Sequence, residues 1–333
     1  LKSAWRTPTA HGGTSKDLAR WIADQVTEAC ADQRRPLPTF TLVGVPGVVQ
    51  PGTGRIRHAP NLRAIEGDRF RRQLEAGFEG TCVVENDSNL ALVGELCAGA
   101  AIGADVAVMV TIGTGVGAGV ALHGRLLTGA TGLVGEIGML PVALDGTVLE
   151  DVISGTAIAR AAEELGLEDR RPLAVIGRDD PGPQHRLRAR VLDAIFAGCM
   201  ACAVAYEPEV IVIGGGVSRS LGAVLPSLQQ RLNDALESPP RLRISHLDDK
   251  AGALGAVAIA LEAAYRQLGA VVDAGVDAEF RRSMAVLAAA LEDPPDPPGG
   301  RAIVGRRRPP SSRRSGRTQC GADGAVGQRD DER

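Results

Sequence analysis

Val83-Val84-Glu85-Asn86-Asp87 opens the stretch that decides the fold, and Thr111-Ile112-Gly113-Thr114-Gly115-Val116-Gly117-Ala118-Gly119 continues it. Each is an apolar run of strand composition, the first ending in a carboxylate and the second in bare backbone. Gly135-Glu136-Ile137-Gly138 and Leu149-Glu150 close the stretch. Sheets of α/β proteins present their chemistry at the carboxyl ends of strands. An acid at one strand end, a glycine turn at the next and two carboxylates downstream point to a polyhydroxylated substrate facing a phosphate donor.

Working outward, Leu90 to Ala101 is a helix of small residues, Ala104 to Ile112 a strand and Val116 to His123 its antiparallel partner, so the glycine turn between them is a hairpin. Upstream, Leu18, Trp21, Ile22, Val26 and Ala29 share one face of a helix over 15–34, with Ser15 as N-cap. Phe40 to Val49 reads as one buried strand running through Gly44-Val45-Pro46-Gly47. Downstream, Ser154 to Leu165 and Leu187 to Tyr206 are helical by periodicity. Val210 to Ile213 then delivers Gly214-Gly215-Gly216, repeating the strand-into-glycine pattern. A last strand, Leu242 to Leu247, leads to a closing helix over 251–268. Residues 269–292 suit one more helix, and the Arg/Pro/Gly-rich 293–333 reads as a disordered tail.

Bulk composition narrows the class. At 333 residues with 44% hydrophobic but only 3% aromatic side chains, the core is built from Ala, Val, Leu and Ile, as α/β layers allow. The net charge of −3 hides a tail of nine Arg against four acids, so residues 1–300 carry −8. An acidic body is not a nucleic-acid surface, and no nucleic-acid binding is expected of this chain alone. Six unevenly spaced cysteines argue against a disulfide framework. No apolar run looks long enough to span a membrane and no signal peptide opens the chain, so the expected location is cytoplasmic.

Several candidate residues read two ways. Asp87 is either a general base or part of an Asn-Asp helix cap. Gly113, Thr114, Gly115 and Gly117 form either an anion-binding nest or a plain hairpin turn. A dinucleotide fingerprint is excluded there, because Val120-Ala121-Leu122 continues as strand where that motif must open a helix. Gly214, Gly215 and Gly216 suit close approach of a flat group such as adenosine. Glu136 and Glu150 are acceptors for substrate hydroxyls or solvated charges. Cys199 and Cys202 sit mid-helix among small apolar residues and read as core.

The ordered series Glu85-Asn86-Asp87-Ser88-Asn89 with Gly94-Glu95, Thr111–Gly119, Gly135-Glu136-Ile137-Gly138, Leu149-Glu150 with Ser154-Gly155-Thr156-Ala157-Ile158, and Glu207–Ser218 resembles the ROK (repressor, open reading frame, kinase) family. The resemblance covers about residues 1–268. It implies a two-lobed actin-like, hexokinase-like (ribonuclease H-like) α/β fold, with 1–110 as first lobe, 111–250 as second and 251–268 closing it. It further implies Asp87 as catalytic base and Asn86, Glu136, Glu150, Gly47 and Asn61 around a sugar. Gly113, Thr114, Gly115 and Gly117 would bind phosphate, and 214–216 would line adenosine. ATP with Mg²⁺ as phosphate source and a homodimer are implied too. The function so implied is transfer of phosphate from ATP to a hexose or amino-hexose. The alternative is the sugar-sensing module of a repressor.

Two departures stand out. Met139 replaces the histidine, and Pro141 to Val148 lacks the cysteines, of the family's zinc site, so no zinc is expected. The family's opening Asp-x-Gly-x-Thr hairpin is also missing: His11-Gly12-Gly13-Thr14 lacks the Asp and runs straight into a helix. The expectation is a first lobe truncated at its N-terminus, with unpaired sheet edges and poor ATP turnover.

Overall fold

The first helix, α1 (Ser15–Asp32), starts one residue earlier than its hydrophobic face suggests, because Thr14, not Ser15, is the cap. Thr14 Oγ1 accepts the Asp17 N–H at 3.3 Å and the Asp17 carboxylate accepts the Thr14 N–H at 2.9 Å, satisfying donors that a helix start leaves open. The computed structural model describes residues 13–177 and 181–267. The expected helix over 269–292 and tail over 293–333 lie outside the described residues.

The single strand expected over 40–49 is two. β1 (Phe40–Val45) ends at Pro46, and Gly47 turns the chain at φ +91° into β2 (Val48–Val49), which pairs antiparallel with β3 (Ile56–Arg57). Only glycine fits at that turn: a Cβ on Gly47 would lie 2.6 Å from the Arg57 carbonyl oxygen. A 3-10 stretch, Pro60–Ile65, and α2 (Arg69–Glu75) lead to β4 (Thr81–Asn86), which lies parallel to β1 with Val45 opposite Asn86. Among the described residues this sheet has two strands, and Phe70, Leu74, Leu18 and Val84 close its core.

From Asn86 the chain passes directly into α3 (Asp87–Ala98), then to β5 (Ala107–Ile112), β6 (Val116–Leu122) and β7 (Arg125–Leu126). The helices α4 (Glu150–Ile153), α5 (Gly155–Glu164), α6 (Pro172–Ile176) and α7 (Pro183–Tyr206) follow. After them come β8 (Val210–Gly214), α8 (Leu225–Ala235), β9 (Arg241–Ile244) and α9 (Ala251–Gln267). Five strands make one sheet in the order β7-β6-β5-β8-β9, with β5 antiparallel to β6 as the hairpin reading expects and parallel to β8. Both faces are covered, which is why β5 and β8 are continuously apolar. Val108, Val110 and Ile112 point into a core shared with α5 and α7, while Ala107 and Met109 point toward α3 and α9.

Two corrections concern helices. Ser154 does not start a helix over 154–165 but caps α5, its Oγ accepting the Ala157 N–H at 3.1 Å, and α4 precedes it. The 24-residue α7 is, by length and composition, apolar enough to cross a membrane, contrary to the reading that no run is long enough. Its apolar residues Leu187, Val191, Ile195, Cys199 and Cys202 pack into the core beside the sheet, which accounts for that composition.

Candidate active site

The structure separates the two readings of Asp87. Asn86, with extended backbone at φ −64° and ψ 140°, is the cap of α3, its Oδ1 accepting the N–H groups of Ser88 at 2.8 Å and Asn89 at 3.1 Å. Asp87 is therefore the first helical residue, and the cap is Asn86. Asp87 is exposed as a whole, yet the protein around its carboxyl removes enough water to raise its pKa, against the lowering influence of Ser88 hydrogen bonds. Asn86 Nδ2 donates to the Gly47 carbonyl at 2.9 Å, which leaves one amide N–H for a ligand. Glu85 Oε1 accepts from Asn86 N and Asn89 Nδ2, both at 2.8 Å, and so braces the same turn.

Glu136 and Glu150 line one hollow of about 440 Å³ together with His58, Pro60, Arg63, Glu66, Val116, Gly138, Met139 and Val148. Burial, then the charges of Asp87 and of Glu150, push the Glu136 carboxyl up to about 7. Glu136 and Glu150 thus share the hollow, and Asp87 lies near enough for its charge to act on Glu136. Glu150 Oε2 also accepts the Val116 N–H at 2.8 Å. Asn61 joins this cluster: a Cβ on Gly115 would lie 2.8 Å from Glu150 Oε2 and 4.0 Å from Asn61 Nδ2.

The glycines divide into two kinds. The Gly113 N–H closes the hairpin onto the Gly115 carbonyl at 2.9 Å, and the start of α5 braces the turn, Gly155 N donating to the Gly113 carbonyl at 2.7 Å. Among the described residues the N–H groups of Thr114 and Gly115 have no acceptor, so these two remain for an anion. Gly117 lies within β6, where a Cβ would meet Ser88 Oγ at 2.9 Å. Gly214 packs against Met109, Gly215 has φ +84° and backs onto the Ile112 carbonyl, and Gly216 faces open space. Because β5 and β8 are parallel neighbours with Thr111 opposite Gly214, both glycine turns emerge side by side.

Residues 7–263 match the ROK family. The chain belongs to that family. It is 29% identical over 286 residues to a glucokinase of Halalkalibacterium halodurans, covering 75% of this chain and 85% of the relative. Among solved structures, a ROK hexokinase from Thermus thermophilus superposes with a TM-score of 0.64 at 30% identity, over 78% of this chain and 90% of that one. A ROK family transcriptional regulator, a homologue of the E. coli MLC protein, shares the fold with a TM-score of 0.65 at 19% identity, over 83% of this chain and 73% of that one. The fold is the two-lobed actin-like α/β fold of ROK sugar kinases.

In this ROK chain the residues present do not fit zinc. Met139 offers an exposed thioether, and the 141–148 segment closes on itself through a Pro141–Val148 bridge and a Val142 N–H to Thr147 carbonyl bond of 2.9 Å. No three His, Cys, Asp or Glu side chains converge on a metal position among the described residues. Thr14, in the segment that superficially resembles the family's phosphate hairpin, is occupied as a helix cap. The sequence reading missed His58, Arg63 and Glu66 as walls of the hollow. Their only signal was position beside Asn61, and His58 reaches its place through a left-handed backbone, φ 52°.

Proposed function

We propose that this ROK protein is an ATP-dependent sugar kinase that phosphorylates a hydroxyl of a hexose or amino-hexose. The reading is supported by Glu136 and Glu150 lining one hollow, with Asp87 near enough for its charge to act on Glu136 and the Gly115 turn against Glu150. Glu136, Glu150, Asn61 and the remaining Asn86 N–H would bind sugar hydroxyls, with Gly47 shaping the turn behind Asn86. Asp87 would accept the proton of the attacking hydroxyl as its oxygen bonds to the terminal phosphorus and the bond to ADP breaks. Thr114 and Gly115 would receive the phosphates, Gly113 and Gly117 shape the hairpin, and the 214–216 turn would border adenosine.

With no carboxylate cage among the described residues, Mg²⁺ would arrive bound to the nucleotide phosphates and supply charge neutralisation. The family resemblance adds a homodimer, testable by light scattering.

Calorimetry with a panel of hexoses, with and without MgATP, combined with a coupled ADP-release assay, tests the proposal. Sugar binding with turnover that Asp87→Asn lowers by about 10²–10⁴-fold supports it. Sugar binding without turnover would favour the sensing module instead, and absence of both would end the carbohydrate reading.

A further inference from the structure

Ser88 follows Asp87 directly, yet its side chain is buried, at 2% exposure, and belongs to a chain of hydroxyls that the proposed mechanism does not use. Ser88 Oγ lies 3.4 Å from Asp87 Oδ1 and 2.5 Å from Thr111 Oγ1, and Thr111 Oγ1 lies 3.2 Å from the Gly117 carbonyl oxygen. Three hydrogen-bond contacts are strung along two hydroxyls, and each hydroxyl has a single proton to donate. A third order, Ser88 to Asp87 with Thr111 to Gly117, would leave two hydroxyl lone pairs facing each other at 2.5 Å, so two orders use both protons and keep the hydroxyls bonded to each other. In one, Thr111 donates to Ser88 and Ser88 to Asp87. In the other, Ser88 donates to Thr111 and Thr111 to the Gly117 carbonyl.

We propose that Ser88 and Thr111 are positioning residues forming a reversible hydroxyl relay, whose direction switches with the protonation of Asp87 and links the base to strand β6. The first order suits a carboxylate, which needs donors. The second suits Asp87 once it carries the sugar proton, because the neutral acid no longer attracts the Ser88 hydrogen. No bond to carbon or phosphorus changes in the relay: two O–H groups rotate, and the proton gained by Asp87 is the one lost by the sugar hydroxyl.

Gly117 supports the assignment independently. A Cβ there would sit 2.9 Å from Ser88 Oγ and 3.5 Å from Thr111 Oγ1, so a larger residue would break up the pair. The charged groups near Asp87 are Glu136, on which Asp87 and Glu150 both act, and Glu85 on β4, whose Oε1 is occupied by Asn86 N and Asn89 Nδ2. Among the described residues no hydrogen bond joins any of these carboxyls to Asp87, and Ser88 is the side chain that donates to it.

The relay rests on Asp87 as base, and the test separates the two ideas. The Asp87 carboxyl is titrated by carbon-13 NMR, its signal assigned by loss in Asp87→Asn, in the unmutated chain and in Ser88→Ala and Thr111→Val. This readout does not depend on turnover. Ser88→Ala should raise the Asp87 titration midpoint by roughly half to one pH unit, the equivalent of one hydrogen bond. Thr111→Val, which leaves Ser88 no other acceptor, should not raise it and should lower it slightly. The acid limb of kcat/KM should move with the NMR midpoint.

An unchanged midpoint in Ser88→Ala, or shifts of equal sign and size in the two variants, overturns the relay, since purely structural roles would alter melting without this opposed pattern. Should Thr111→Val fail to fold, Thr111→Ser keeps the hydroxyl and must keep the original midpoint. Full turnover in Asp87→Asn defeats the base assignment. Loss of turnover there, with no midpoint shift in Ser88→Ala, defeats the relay alone.

Discussion

Glu150 Oε2 accepts the N–H of Val116 at 2.8 Å, joining the hollow that the carboxylates line to the hairpin that ends in the glycine turn. One carboxylate therefore serves two sites. Glu150→Ala should weaken sugar and nucleotide binding together, each by about 10–100-fold in KM, the range expected for losing a charge-assisted hydrogen bond. Glu150→Gln keeps an acceptor for Val116 and should weaken the sugar alone. Steady-state kinetics with each substrate varied in turn distinguishes the two.

Glu136 is held at about 7 against an ordinary 4.5, so the fold favours its protonated form. Its contribution to stability is complete below pH 4.5 and is lost as pH rises through 7. Glu136→Gln should therefore melt at a higher temperature than the unmutated chain at pH 8 and at nearly the same temperature at pH 4.5. Melting curves at the two pH values read this directly, and a difference confined to the acidic side would contradict it.

Asn86 both caps α3 and ties β4 to the Gly47 turn. Asn86→Ala should cost about 0.5–2 kcal/mol for the cap, and it frees Asp87 to swing into the vacant capping position, with a fall in kcat. Asn86→Asp retains the cap but places a second carboxylate beside Asp87, so it should melt higher than the alanine variant and still turn over slowly. Denaturant unfolding paired with turnover rates separates these effects.

Gly94 of α3 and Gly255 of α9 let the two helices meet backbone to backbone, since a Cβ on Gly94 would strike the Ala251 carbonyl and one on Gly255 the Leu90 carbonyl. Backbone cannot yield as a side chain can. Either residue changed to Ala should destabilise by about 1–3 kcal/mol or more, as overpacking does. Ala has the higher helix propensity, so a gain in stability would refute the close-contact account.

Much of the candidate site is legible in the sequence. Asp87, Glu136 and Glu150 declare themselves through order and through the strand-like runs before Asp87 and the glycine hairpin. The hairpin declares itself through the alternation that resumes at Val116. The assignment of the cap to Asn86 instead of Asp87 was not legible, because both side chains can bond the same amides and only backbone angles choose between them. The roles of individual glycines were hidden as well. Gly117 faces Ser88, and Gly214 faces Met109, partners remote in the chain. The walls at His58 and Arg63 carry no signature beyond their position beside Asn61.

The sequence by itself determined the apolar strands, the chemistry at the ends of two of them and family membership, because periodicity and residue type are local properties. Only the tertiary structure decided that carboxylates separated by up to 63 positions lie near enough to act on one another and that two glycine turns lie side by side. The reason is register. Parallel pairing of β5 with β8 and of β1 with β4 is settled by packing both faces of each sheet at once, and no single segment contains that information.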